Sequence, residues 1–136
     1  MARKPKALVF DSWAVLAYLE GEVSSQEVAD LIAGAHEGRV PMYMSSVNAG
    51  EVWYIIAREA SEAEADRAVD DLTRLGIELI DTNWPLVRTA ATFKARHKMS
   101  YADCFAAALA KDRKSDLVTG DKEFKQVEAE IGIRWL

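Results

Sequence analysis

The stretch Ala7-Leu8-Val9-Phe10-Asp11-Ser12 is the most informative part of the chain, because four apolar residues lead directly into a carboxylate. An uninterrupted apolar run this short, followed by helical sequence, is typical of a strand buried on both faces in a parallel sheet. Sites in open α/β sheets lie just past the carboxyl ends of the strands, where Asp11 stands. A second apolar run, residues 117–119, leads to Asp121 one glycine later. The two acids predict a metal site at one sheet edge, although each would also serve as an ordinary N-cap.

The remaining apolar patterns predict strands that alternate with helices. Strands are expected at residues 7–10, 42–44, 77–80, 117–119 and 131–135. Helices are expected at 13–19, from Ser24 or Ser25 to 37, from Ser45 or Ser46 to 58, and at 61–75, 83–96, 101–110 and 122–127. Because the connections are long enough for crossover helices, the sheet should be mostly parallel. We therefore expect one domain over residues 1–136, an α/β/α sandwich around a central sheet of four or five strands.

Composition agrees with a single globular domain. The chain has 136 residues, of which 50% are hydrophobic and 29% charged, and this balance argues against disorder. Four apolar residues before Asp11 are too few for the core of a signal peptide, and no apolar run approaches the ~18 residues of a membrane span. Cys104 has no second cysteine to pair with, and we interpret it as a small core residue. The expected location is cytoplasmic.

The net charge of −5 hides a strong asymmetry along the chain. Residues 11–82 carry four Lys or Arg against fifteen Asp or Glu, whereas residues 83–114 carry seven Lys or Arg against two Asp. A basic segment in an acidic chain favours a phosphate-bearing ligand, but a solvated helix face gives the same composition. The basic residues between Arg88 and Lys114 are candidates for contacts to a nucleic-acid backbone.

Two further acids stand on helices that are otherwise apolar. Glu51 shares a helix face with Val47, Tyr54 and Ile55, so it is costly to bury without a partner unless that face reaches water at the edge. Asp103 follows Ser100 at capping-box spacing, and a carboxylate in the first turn also complements the helix dipole. The helix behind it, residues 104–110, is apolar almost all round and must be buried. Its first turn would then lie against the sheet edge that carries the strand-end acids.

Four carboxylates at one edge would repel one another and have raised pKa values if left unpaired. A divalent cation resolves this repulsion, and hard cations such as Mg²⁺ take oxygen ligands. The spacing of histidine and cysteine does not fit zinc, and His36 and His97 are interpreted as surface residues.

Four motifs together resemble those of the PIN-domain ribonucleases, and at this length the chain is similar to a VapC-type toxin of a toxin–antitoxin pair. The resemblance covers nearly the whole chain, which would make residues 1–136 a PIN-like domain. The motifs stand in the family's order: the apolar strand ending in Asp11-Ser12, the helix opening at Ser45-Ser46-Val47-Asn48-Ala49-Gly50-Glu51-Val52, the stretch from Ser100-Tyr101-Ala102-Asp103 through Ala110, and Leu117-Val118-Thr119-Gly120-Asp121-Lys122-Glu123-Phe124.

The resemblance implies an endoribonuclease dependent on Mg²⁺ or Mn²⁺. By motif position its catalytic acids would be Asp11, Glu51, Asp103 and Asp121. Asp11 and Asp103 would be direct metal ligands, and Glu51 and Asp121 would complete the site directly or through water. Such enzymes use a metal-activated water to cut the phosphodiester, leaving a 5′-phosphate and a 3′-hydroxyl.

The same resemblance implies supporting residues and partners. Ser12 and Thr119 match the family's hydroxyl positions and would orient a metal-bound water or a phosphate. The implied partners are an RNA substrate, a second copy of the chain in a homodimer, and an antitoxin protein that covers the groove. Trp13 stands where the family usually has a small residue, so it is expected to narrow one wall of the site or pack beneath it.

Two other functions remain open on the sequence. A PIN-like fold can serve as a silent binding or assembly module, but such modules usually lack one or more of the acids, and all four are present here. An Asp-based phosphotransferase of the haloacid dehalogenase type also begins with a strand ending in Asp. That chemistry requires a second Asp at position 13, which is Trp.

Overall fold

A computed structural model describes residues 6–136. Five strands and six α-helices alternate, with a 3₁₀ helix between the last two strands. The strands are β1 (Leu8–Phe10), β2 (Met42–Ser45), β3 (Ile77–Ile80), β4 (Asp116–Thr119) and β5 (Gly132–Trp135). The helices are α1 (Ser12–Leu19), α2 (Ser25–Gly38), α3 (Ser46–Glu59), α4 (Glu62–Arg74), α5 (Trp84–Arg96) and α6 (Tyr101–Arg113), and the 3₁₀ helix is Lys122–Val127.

The five strands form one parallel sheet in the order β3-β2-β1-β4-β5. The opening stretch is therefore the central strand, and all three residues of β1 are buried. Phe10 pairs with Val118 of β4, so the two strands that lead to Asp11 and Asp121 are neighbours and end at the same edge. The predicted α/β/α sandwich with a parallel sheet is confirmed. The expected single domain of residues 1–136 includes residues 1–5, which lie outside the described residues.

Helices cover both faces of the sheet, and each face has its own apolar core. Leu8 and Phe10 point to the side packed by α1, α2, α3 and α4, whereas Val9 between them points to the side packed by α5, α6 and the 3₁₀ helix. This alternation follows from the two-residue period of a strand. Helix α6 is buried from Cys104 to Ala110, which explains why its sequence is apolar all round. Cys104 is a core residue, as predicted.

The helix boundaries follow the polar caps with two exceptions. The side chains of Ser45, Ser61, Asn83 and Ser100 accept hydrogen bonds from the first turns of their helices, as the sequence predicts. Ser24 precedes α2 but makes no capping bond with its side chain. Helix α6 continues three residues beyond the predicted end at Ala110. The charged residues there extend the helix past its apolar run, and Lys114 ends it in the left-handed conformation, with φ 51°.

No helix among residues 6–136 is long and apolar enough to cross a membrane. His36 is exposed, as expected for a surface residue. His97 is partly buried, and its Nε2 lies 3.3 Å from Oε2 of Glu130.

Candidate metal centre

Asp11 lies where β1 passes into α1, and it is almost completely buried at 1% exposure. Its Oδ1 accepts a hydrogen bond from the N–H of Ala14 at 2.8 Å, so it caps the helix. Its Oδ2 accepts a hydrogen bond from the hydroxyl of Thr119 at 2.5 Å. Burial raises the pKa of Asp11 to about 7 against the lowering effect of these two bonds, and the charges of Asp103 and Asp121 raise it further. The carboxylate is held in place at an electrostatic cost.

Asp121 lies two residues beyond the end of β4 and is connected to Asp11 through Thr119. The N–H of Asp121 donates to Oγ1 of Thr119 at 3.0 Å while the same hydroxyl donates to Asp11. Oδ1 of Asp121 accepts a hydrogen bond from the N–H of Glu123 at 3.0 Å and caps the 3₁₀ helix. Both strand-end acids are therefore N-caps, and capping does not exclude a second role for the remaining oxygens.

Asp103 occupies the first turn of α6, which Ser100 caps through a hydrogen bond of 3.1 Å to the N–H of Asp103. Burial raises the pKa of Asp103 to about 7, and the charge of Asp121 is the next largest cause. Glu51 and Glu123 raise this pKa further, while Ser100 lowers it. Three other acids therefore act on Asp103 at this edge of the sheet.

Three of these carboxylates are close enough to share one cation. Asp103, Asp121 and Glu123 each offer an oxygen, and these oxygens all lie within 4.8 Å of one another. Asp11 is outside this group of three, although its charge interacts with Asp103 and Asp121. Oxygen donors suit Mg²⁺ or Mn²⁺, and a divalent cation would relieve the repulsion that raises the pKa of Asp103. The donor set therefore fits a hard divalent cation.

Sequence reasoning missed Glu123 at this site. It stands two residues after Asp121 on an exposed turn, and the sequence has no sign that the turn bends back toward α6. Glu51 is partly buried on α3, and the structure connects it to the other acids only through its electrostatic effect on Asp103.

A second missed residue, Asn48, connects the helices that carry the acids. Its side chain is completely buried, and Nδ2 donates a hydrogen bond to the carbonyl of Ala102 at 3.0 Å. The hydroxyl of Ser12 donates to the carbonyl of Asn48 at 3.2 Å. Asn48 thus joins the first turns of α1, α3 and α6 beside Asp11 and Asp103. The expectation that Ser12 and Thr119 orient water or phosphate stays a prediction, since both hydroxyls donate within the protein.

Trp13 packs against the loop that carries Asp121. Its side chain is 39% exposed and lies against Gly120, where a Cβ would clash with Cη2 of the indole. Gly120 directly precedes Asp121, so the indole sits over the loop that carries this acid. The expectation that the tryptophan narrows one wall of the site or packs beneath it stays a prediction.

The chain matches known proteins in sequence profile and in structure. The profile of the PIN domain family matches residues 8–130. A chain in the crystal structure of VapBC2 from Rickettsia felis bound to a promoter DNA fragment is similar, with a TM-score of 0.74 and 17% identity over 96% of this chain and 98% of that chain. The DNA-bound VapBC from Salmonella typhimurium gives a TM-score of 0.73 and 16% identity over 94% and 96%.

VapC20 from Mycobacterium tuberculosis, described as a toxin that cleaves the sarcin–ricin loop, gives a TM-score of 0.68 and 18% identity over 89% of this chain and 95% of that chain. No curated protein matches the chain in sequence. The structural likenesses support the fold, and the profile match extends over most of the chain. The chain therefore belongs to the PIN domain family.

Proposed function

We propose that the protein is a metal-dependent endoribonuclease that acts as the toxin of a toxin–antitoxin pair. The observation that carries the proposal is the group of Asp103, Asp121 and Glu123, whose oxygens lie within 4.8 Å of one another beside buried Asp11. Burial, together with the charges of neighbouring acids, raises the pKa values of Asp11 and Asp103 to about 7, and a bound cation would favour the charged form of both carboxylates. The similarity to VapBC structures from several bacteria supports the toxin assignment.

The acids would hold Mg²⁺ or Mn²⁺ and leave part of its coordination open to substrate. Asp103, Asp121 and Glu123 would be the ligands, because their oxygens lie close together, and Asp11 and Glu51 would complete the site directly or through water. When bound, the cation would lower the pKa of a water molecule and stabilise negative charge on a phosphoryl oxygen. Hydrolysis would form a bond from the water oxygen to phosphorus and break the P–O3′ bond. The water gives up one proton and the leaving 3′ oxygen takes one, which gives a 5′-phosphate and a 3′-hydroxyl.

The chain's own residues position this chemistry. Thr119 holds Asp11 and the backbone of Asp121 with one hydroxyl, and Asn48 holds the first turn of α6 through Ala102. Trp13 covers the loop at Gly120 and limits the approach of RNA from that side. These contacts keep the carboxylates close together before metal or substrate arrives, which is the preorganisation that such catalysis requires.

The test is cleavage of single-stranded RNA by purified protein with Mn²⁺, with Mg²⁺ and with EDTA, beside Asp103→Asn. Asp70→Asn is the matched control, because Asp70 is an exposed aspartate on α4 away from the acids. We expect metal-dependent products with 5′-phosphate ends from the wild type and the control, and none from Asp103→Asn. Equal cleavage by Asp103→Asn would refute the proposed site.

The toxin assignment has a separate test in cells. Induced expression of the wild-type chain should arrest growth and degrade RNA, whereas Asp103→Asn at equal abundance should not. Cleavage in vitro without any growth arrest would retain the nuclease and refute the toxin. A chain that neither cleaves RNA nor binds Mn²⁺ by calorimetry would instead be a silent binding module.

The partners follow from the same proposal. The similar structures from Rickettsia felis and Salmonella typhimurium are VapBC assemblies bound to DNA. We infer that this chain pairs with a cognate antitoxin and forms a homodimer in the cytoplasm. Co-purification of a small protein encoded beside the gene, with loss of RNA cleavage in the complex, is the expected result.

A further inference from the structure

A basic concavity of about 380 Å³ lies between α5 and α6 and shares no residue with the acidic centre. Arg88 and Arg96 of α5 and Lys111 of α6 bring three cations to its wall. Two acids, Asp112 and Glu130, also line it. All three cationic side chains are exposed, although the protein as a whole carries a net charge of −5. The concavity is thus a local cluster of positive charge on an acidic molecule.

Each of the two acids of the concavity lies near a basic side chain other than these three. Oε2 of Glu130 lies 3.3 Å from Nε2 of His97, and Oδ2 of Asp112 lies 3.8 Å from Nε of Arg113. Within residues 6–136, Arg88, Arg96 and Lys111 have no carboxylate oxygen within 4.0 Å. Their charges are therefore available to a ligand.

The two threonine hydroxyls that line the concavity already donate hydrogen bonds to backbone carbonyls. The donors that remain for a ligand are therefore the three charged side chains. The hydroxyl of Thr89 donates to the carbonyl of Pro85 at 3.1 Å, and the hydroxyl of Thr92 donates to the carbonyl of Arg88 at 2.9 Å. Nζ of Lys111 lies 5.6 Å from the centre of the Phe93 ring, so the ammonium makes a cation–π contact with the face of this ring. Guanidinium forks beside an ammonium suit a phosphate with several acceptor oxygens.

We propose that this concavity binds a backbone phosphate of the RNA at a distance from the bond that is cut. The proposal rests on the proposed nuclease function, because RNA is the substrate of that function and carries the phosphates that the concavity would bind. Lys111 lies eight residues beyond Asp103 on the same helix, which is about 12 Å along its axis. One strand of RNA can therefore reach both places. Contacts of this kind add affinity without reading sequence.

The test is the salt dependence of binding of a fluorescent single-stranded RNA in EDTA, where no cleavage occurs. The double variant Arg96→Ala/Lys111→Ala is compared with Arg67→Ala/Arg74→Ala, which removes two exposed cations from α4. Loss of two phosphate contacts should reduce the slope of log K against log salt by about 1.4. The control pair should retain the wild-type slope. Arg96→Lys/Lys111→Arg should restore most of the binding, since it keeps both charges.

The outcomes separate this proposal from the nuclease itself. In the metal-loaded enzyme, the Arg96→Ala/Lys111→Ala variant should raise KM for RNA and leave kcat near the wild-type value. Metal-dependent cleavage with an unchanged salt slope and KM in this variant would overturn the phosphate subsite and retain the nuclease. Wild-type protein that neither binds nor cleaves RNA would overturn both. Binding of polyglutamate that this variant loses, with RNA binding unchanged, would assign the concavity to an acidic peptide instead.

Discussion

The hydroxyl of Thr119 donates a hydrogen bond of 2.5 Å to Oδ2 of Asp11 across the neighbouring strands β4 and β1. The same oxygen accepts the N–H of Asp121 at 3.0 Å. One completely buried side chain therefore sets the positions of two acids that lie 110 residues apart in the sequence. This bond also lowers the pKa of Asp11 against the effect of burial. Thr119 thus favours the charged form of Asp11.

Replacing Thr119 with Val should weaken metal binding while the fold is retained. Valine fills the same volume but cannot donate to Asp11, so the pKa of Asp11 should rise further and the carboxylate should be less available to a cation. Outer partners of metal ligands typically contribute about 10- to 100-fold in affinity. We expect a loss of at least about tenfold in Mn²⁺ affinity by calorimetry at pH 7.

The control for this variant is Thr73→Val, which removes an exposed hydroxyl that donates to the carbonyl of Asp70. It should leave Mn²⁺ affinity unchanged. Equal affinity in Thr119→Val and the wild type would mean that Asp11 and the Asp121 backbone keep their places without the hydroxyl.

Metal binding should strengthen as pH rises to about 7 and then level off. The pKa values of Asp11 and Asp103 are raised to about 7 in the folded protein, so protons compete with the cation below that pH. The rise in Tm on addition of saturating Mn²⁺ should therefore be larger at pH 8 than at pH 5.5. A metal-induced rise in Tm that is the same at both pH values would contradict a site built on these two carboxylates.

The metal-free protein should show the opposite trend in stability. Because the folded-state pKa values exceed the ordinary value of 3.8, the folded state binds more protons than the unfolded state between about pH 4 and pH 7. The free energy of unfolding therefore falls as pH rises through this window. Asp103→Asn removes one of the two groups, so this variant should lose less stability between pH 5 and pH 8. Its Tm in EDTA at pH 8 should exceed that of the wild type.

The acids that follow strands can be placed at this edge of the sheet from the sequence. The acid that lies on a turn cannot. Asp11 and Asp121 follow apolar runs, and parallel strands bring their carboxyl ends to one edge. Asp103 could be placed because a helix with no polar face must be buried. Glu123 gives no such signal, because the 3₁₀ turn that carries it toward α6 depends on tertiary packing of Phe124 and Val127. The sequence therefore places acids beside strands and α-helices better than it places acids on turns.

The buried amide of Asn48 shows a second limit of prediction. An asparagine in the first turn of a helix is ordinary in sequence, and only the packed structure shows that its side-chain N–H reaches the carbonyl of Ala102 on another helix.

The basic segment between Arg88 and Lys114 can be predicted more fully from the sequence. Its charges can be counted in the sequence, but only the folded structure places Asp112 beside Arg113 and Glu130 beside His97 and leaves Arg88, Arg96 and Lys111 without a carboxylate partner among residues 6–136.

Asn48→Ala should lower both stability and metal affinity. The substitution removes the hydrogen bond between α3 and the first turn of α6 and leaves a small buried cavity. Loss of a buried hydrogen bond with an unsatisfied partner costs about 1–3 kcal/mol, measured by urea unfolding. Because the carbonyl of Ala102 directly precedes Asp103, the carboxylate should also be held less firmly. Ser46→Ala, which removes a weaker 3.3 Å bond to Asp81, is the matched control and should change Mn²⁺ affinity little.

The contact between Trp13 and Gly120 should make glycine necessary at position 120. An alanine Cβ would lie closer to Cη2 of the indole than any ordinary contact allows, so the tryptophan or the loop must move. Overpacking of this kind typically costs about 1–3 kcal/mol, and we expect Gly120→Ala to lower the free energy of unfolding by that amount. Since the loop carries Asp121, Mn²⁺ affinity should fall as well.

A double-mutant cycle identifies the clash as the cause. Trp13→Ala alone should cost stability through lost packing, but in that background Gly120→Ala should be nearly neutral, because the indole that it meets is gone. The two costs should therefore be less than additive by about 0.5–3 kcal/mol, the range for residues in contact. Additive costs would mean that Gly120 is needed for its backbone alone. Recovery of Mn²⁺ affinity in the double variant relative to Gly120→Ala would show that the tryptophan acts on Asp121 through this glycine.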